Sequence, residues 1–103
     1  MLKVEQTFVK EENYIEDRCK SEDFSIPGSE EKLHWKLTCL MCPEQYDIYY
    51  KGQQIAYLRE RHDYMSLCVP DYNGEEIWNK DGSRLKHYAD EINECILKHY
   101  GII

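Results

Sequence analysis

The chain has 103 residues, 42% of them hydrophobic and 32% charged, with 20 acids against 13 lysines and arginines and a net charge of -7. This length implies one domain over 1–103, large enough to bury a core without disulfides or a structural metal. The acidic balance argues against direct binding to duplex nucleic acid, where lysine and arginine must release counterions, and no apolar run approaches the roughly 20 residues that cross a bilayer.

The N-terminal stretch MLKVEQTFVKEENY lacks the apolar centre of a signal peptide. Leu2, Val4, Gln6 and Phe8 alternate like an edge strand, and EENYIEDRCKSEDF reads as a short helix with Tyr14, Ile15, Arg18 and Cys19 turned inward. From Glu5 to Glu31 nine acids face three bases, so this segment carries -6 of the -7. Two readings of it stand. It keeps the protein soluble, or Glu11, Glu12, Glu16 and Asp17 form an acidic surface that docks on a basic partner. SIPGS is a connecting turn that closes the N-terminal part, residues 1–32.

The middle, residues 33–80, reads as a meander. In LHWKLTCLM, Leu33, Trp35, Leu37, Cys39 and Met41 alternate with His34, Lys36, Thr38 and Leu40. Pro43 ends the run, since it has no N–H to give to a ladder. QYDIYY, a Lys51-Gly52 turn and QQIAYLRER make a hairpin. A reversal near His62-Asp63 leads into YMSLCV, which Pro70 closes. An Asn-Gly turn in DYNGEE precedes the short strand EIWN.

The last element is a helix over 84–100. Leu85, Tyr88, Ala89, Ile92, Ile96 and His99 form its apolar stripe, and Asp81 or Ser83 stands ready as a cap. Glu91, Glu94 and Lys98 project to water, and Gly101 is the stop signal. The fold expected is α+β, a four- to five-stranded antiparallel meander sheet packed on one C-terminal helix, with an irregular acidic N-terminal segment.

Five cysteines, odd in number and irregular in spacing, indicate reduced thiols in a cytoplasmic protein. Cys39 and Cys42 have C-x-x-C spacing, but on a continuous strand positions three apart point to opposite sides. There is no second such pair. No metal or other cofactor is expected, and the weak alternative is a site built from Cys39, Cys42, Cys68 and His62. No catalytic motif stands out either.

In AYLRERHDY, Tyr57, Arg59 and Arg61 share one strand face, with His62 and Tyr64 just beyond. These five could clamp a nucleotide or another small anion. The plainer alternative pairs the arginines with cross-strand acids such as Glu44 or Asp47. Nine tyrosines against two phenylalanines suggest an interaction surface, because one helix covers only one sheet face. Tyr46, Tyr49, Tyr50 and Tyr72 are the candidates for it.

The block CPEQYDIYYKGQQIAYLRERHDYMSLCVPDYNGEEIW resembles a family of small, uncharacterised bacterial and phage proteins. The shared pattern is C-P-E-Q-Y-D, a glycine turn, Y-L-R-x-R-H, then a proline and G-E. The matching residues are Cys42 to Asp47, Gly52, Tyr57 to Arg59, Arg61, His62, Pro70, Gly74 and Glu75. The resemblance implies an accessory protein of a phage or mobile element, with no activity attached. The expectation is therefore a non-enzymatic interaction module, a monomer or homodimer, that binds and inhibits a host protein such as a basic-surfaced nucleic-acid-handling or defence enzyme. An anionic-ligand binder is the alternative.

Overall fold

Alternating apolar and polar residues between Lys32 and Asp81 become strands, and tight turns at Lys51-Gly52 and His62-Asp63 join β-hairpin partners. The structure, a computed structural model, describes residues 20–39 and 44–103. The edge strand expected at Leu2–Phe8, the inward residues Tyr14, Ile15, Arg18 and Cys19, the acids Glu11, Glu12, Glu16 and Asp17, and Cys42 lie outside the described residues. Six strands, β1 (Glu22–Ser25), β2 (Lys32–Cys39), β3 (Glu44–Tyr50), β4 (Gln53–Arg61), β5 (Tyr64–Val69) and β6 (Glu75–Asp81), form one sheet. They lie in chain order, each antiparallel to the next.

The expected α+β meander is thus present, with six strands where four to five were expected. The additional strand is β1, which falls where the sequence suggested the end of a helix. Four residues hold too few repeats for a period to declare itself. What fixes β1 is tertiary: Phe24 pairs with Leu33 and its ring packs 4.7 Å from that of Trp35.

The Lys51-Gly52 turn and the reversal expected near His62-Asp63 both form, each as a two-residue hairpin. Lys51 and Gly52 have φ of 51° and 81°, and His62 and Asp63 have φ of 53° and 60°. These doubly left-handed turns match the twist of the flanking strands. Asp71 organises the β5–β6 connection, accepting the Asn73 N–H on Oδ1 at 3.0 Å and the Gly74 N–H on its carbonyl at 2.9 Å. Gly74 is needed there for space, since a Cβ at this position would lie 1.9 Å from the Val69 carbonyl oxygen.

The C-terminal helix begins as a 3-10 turn, Leu85–Tyr88, and continues as α1, Ala89–His99. Neither Asp81 nor Ser83 caps it, for no side chain caps either segment. Its end is as expected. The Ile102 N–H reaches the Leu97 carbonyl at 2.8 Å and the Gly101 N–H the Lys98 carbonyl at 3.1 Å, with Gly101 at φ 71°, which is a Schellman stop. The buried stripe is Leu85, Ala89, Ile92, Asn93, Ile96 and Leu97, while His99 is exposed and Tyr88 only half-buried. The tighter 3-10 winding at the start shifts the phase of the stripe away from a uniform 3.6 period.

This helix covers one sheet face. Trp35, Tyr46, Ile48, Leu58, Met65 and Leu67 are fully buried under Leu85, Ile92 and Ile96. Trp35 donates from Nε1 to Asn93 Oδ1 at 2.8 Å, which satisfies both polar groups in an apolar surrounding. At the β6 edge, Glu91 accepts from Trp78 Nε1 at 2.9 Å and from Lys80 at 3.4 Å.

Three irregularities adjust the sheet, between Leu37 and Cys39 in β2, at Ile55 in β4 and at Ile77 in β6. A bulged residue drops out of the regular ladder. The helix side meets two of them, because the Tyr100 hydroxyl donates to the Ile55 carbonyl and the Cys95 thiol lies 3.7 Å from the Ile77 carbonyl.

Two substitutions test this packing. Asn93→Ala leaves the Trp35 N–H buried and unpaired, and is expected to lower unfolding stability in urea by about 1–3 kcal/mol. Gly74→Ala forces backbone against backbone and is expected to cost about 2 kcal/mol or more. Gly28→Ala has open space around its Cβ and meets only the left-handed strain of about 1–2 kcal/mol.

Candidate functional site

The face turned away from the helix is the candidate site. Register places in one row Lys36, Asp47, Tyr57, Cys68 and Glu76, and in the next Cys39, Gln45, Arg59, Ser66 and Asn79. Beyond them a third row runs from Arg61 to Tyr64 and from Tyr64 to Asp81. Tyr72, from the β5–β6 connection, is 70% exposed and meets Tyr57 edge-on with centroids 6.0 Å apart.

Tyr57, Arg59 and Arg61 share this face, as the strand period requires. Among the described residues neither arginine makes an ion pair. Glu44 cannot serve as their partner. It lies on the helix side, 5% exposed, where its carboxylate accepts the Tyr46 hydroxyl at 2.7 Å. Asp47 stands on the arginines' face, opposite Tyr57. His62 is exposed in the hairpin turn. The Tyr64 hydroxyl is committed to Glu76 at 2.9 Å, and Asn79 binds the same carboxylate oxygen at 2.9 Å. The cluster proposed for an anion is therefore interleaved with acids.

The interaction tyrosines divide. Tyr49 and Tyr72 belong to the face that α1 leaves uncovered and to its rim. Tyr46 does not, being wholly buried between Trp35 and the helix side, and Tyr50 packs against the core from that side too. Tyr46 corrects the sequence expectation, which could not know which parity of β3 the helix would cover, while Tyr50 keeps part of its surface exposed.

Cys39 was expected on the face of Trp35 and Leu37. The irregularity after Leu37 pairs it with Gln45 and moves it to the uncovered face. Cys68 is there too, but β3 and β4 lie between the two. Three strand spacings of about 4.8 Å separate ligands by roughly 14 Å, whereas zinc holds sulfur at about 2.3 Å. Among the described residues no group of three metal-ligating side chains converges. Cys39 and Cys68 thus do not share a metal, with His62 farther out in the turn.

Electrostatics on this face favour protonated groups. Burial pushes the Tyr57 hydroxyl above its ordinary value, opposed by Arg59 and reinforced by Asp47 and Cys68. The hydrogen bond to Glu76 raises Tyr64. Burial, helped by Glu76, raises the Cys68 thiol. Burial likewise raises Cys95 and Tyr100 on the helix. A thiol held up in this way is a poor nucleophile at neutral pH.

A second feature escaped the sequence reading. Lys32, His34 and Lys36 alternate along β2, and the hairpin turn brings Lys51 beside them at a groove also lined by Tyr49. The i, i+2, i+4 spacing of three basic groups on a polar strand face was the available signal. Compared with protein-family models, curated proteins and solved structures, the chain matches none.

The raised groups fix the direction of a pH effect. The native state binds protons at Cys68, Cys95, Tyr57, Tyr64 and Tyr100 more tightly than the unfolded chain does. Stability is therefore full below the ordinary thiol and phenol values, about 8.5 and 10, and falls as pH rises through the raised ones. Urea midpoints should be level from pH 7 to 8 and drop by pH 10.5. A midpoint that rises over that interval contradicts the assignment.

Proposed function

We propose that the protein is a non-enzymatic interaction module that docks on another protein through the sheet face opposite its helix. The observation that carries this reading is the Tyr57–Tyr72 pair beside Arg59 and Arg61, whose charges no acid within the described residues neutralises. Tyrosine and arginine are the residues that protein interfaces use as anchors, giving wide contact area at small entropic cost. Tyr57 is half-buried while Tyr72 stands out, so a partner would find a shaped apolar patch with cationic flanks. Occupying a host enzyme in this way makes the chain an inhibitor that needs no catalytic group, the role expected of a phage or mobile-element accessory protein.

The alternative, a small anion clamped by Arg59, Arg61, His62, Tyr57 and Tyr64, has less support. Glu76, Asp47 and Asp81 stand in the same region, and Tyr64 is already bonded.

The test is affinity capture from host extract, read by mass spectrometry, with the partner's affinity then measured for each variant. Each anchor is expected to contribute about 2 kcal/mol, or roughly thirtyfold in affinity. Arg59→Ala and Tyr72→Ala should each lose that factor, while Lys98→Gln on the helix should lose none. Equal retention by all three variants, or a small anion co-purifying in place of a protein, would sink the docking reading.

A further inference from the structure

At the other end of the uncovered face, β2, β3 and the Lys51–Gly52 turn surround an open groove of about 610 Å³. Lys32, Lys36 and Lys51 line it, with His34 and Tyr49 between them. Among the described residues, three other lysines are engaged. Lys80, Lys86 and Lys98 hold Glu91, Glu22 and Glu94 at 3.4, 2.8 and 3.1 Å. The three groove lysines hold no carboxylate among the described residues. Lys51 lies over the Tyr50 ring at 5.4 Å, a contact that leaves its charge without a counter-ion.

The remaining walls narrow the ligand class. Asp23 holds His34 at 2.6 Å from Nδ1, so that ring is fixed, and Tyr49 lies beside it with centroids 6.4 Å apart. Glu30 and Glu31 stand in the lining as well, and Asp47 faces Lys36 across the strand pair. An extended acidic peptide leaving the groove would run against these carboxylates. A compact anion that concentrates its charge among the lysines would not. The volume falls within the range of small-molecule sites, about 300–1,000 Å³.

We propose that this groove binds a small nucleoside phosphate, with its phosphates among Lys32, Lys36 and Lys51 and its base against Tyr49. Lysine serves phosphate as a mobile point charge, and an aromatic face accepts any base by stacking. The site shares no residue with the Tyr57–Tyr72 docking patch and does not depend on it.

The experiment is an amide NMR titration of the whole chain at low salt with ATP and, separately, with pyrophosphate. Both should shift residues 32–36 and 49–52 saturably, and ATP should bind more tightly. Lys36→Gln and Lys51→Gln, both at exposed positions, should each weaken binding about tenfold, the value of one lost charge-assisted hydrogen bond. Tyr49→Leu should remove the advantage of ATP over pyrophosphate, and Lys98→Gln should change nothing. No saturable binding at millimolar ligand overturns the proposal, as does equal weakening by Lys98→Gln. ATP binding no better than pyrophosphate removes the nucleoside, and a glutamate-rich peptide that outcompetes both removes the small molecule.

Discussion

The hydrogen bond from the Trp35 indole to Asn93 joins the two layers of this protein at their centre. It connects residues 58 apart in sequence inside an environment where either group alone would be costly to bury. It also orients the largest side chain of the core, against which Phe24 and Tyr46 pack. Everything on the helix side is arranged around that ring. One helix of eleven residues can cover only part of a six-stranded sheet, so the same bond that commits the inner face leaves the outer face uncovered by α1.

Two of the strand irregularities are points where the helix side grips the sheet. At Ile55 and Ile77 the ladder skips a residue, and groups from the helix side, the Tyr100 hydroxyl and the Cys95 thiol, meet those carbonyls. Lys86 adds a third link, bonding Glu22 on β1 while lying 5.6 Å over the Tyr46 ring. Helix and sheet are therefore held by polar contacts around an apolar centre. The Leu37–Cys39 irregularity has a different consequence, since it carries one thiol over to the face of Cys68, where β3 and β4 still keep the two apart.

Charge is distributed unevenly for a chain of net -7. Around the helix, Lys80 of β6 and Lys98 pair with Glu91 and Glu94, and Lys86 pairs with Glu22 of β1. The uncovered face gathers cations that no carboxylate among the described residues pairs with, Arg59 and Arg61 at one end and the three groove lysines at the other. Two proposals rest on these two ends, a protein-docking patch where tyrosines flank arginines and a phosphate groove where lysines surround a single tyrosine. The acids set the division. Glu76, Asp47 and Asp81 crowd the arginine end, which suits mixed protein contacts better than one small anion.

Much of the fold was legible in the sequence because strands and hairpins declare themselves locally. The bounds of β4 and β5, both two-residue turns and the Gly101 stop follow from alternation, turn chemistry and the need for φ above zero at a helix end. β1 was not legible, because its stability comes from Trp35 and Leu33 rather than from its own four residues. The missing helix cap and the shifted stripe were hidden for a related reason, since a 3-10 start leaves no mark in a 3.6-residue pattern. Alternation told which tyrosines share a face, never which face the helix would choose, so Tyr46 and Tyr72 looked alike until packing buried one and exposed the other. By itself the sequence determined the five strands from β2 to β6, their meander order and the acidity of the chain, all consequences of neighbouring residues. Only the tertiary structure decided which side is core, where the bulges redirect Cys39, and that Lys51 joins Lys32 and Lys36, because each depends on contacts between residues that the chain keeps apart.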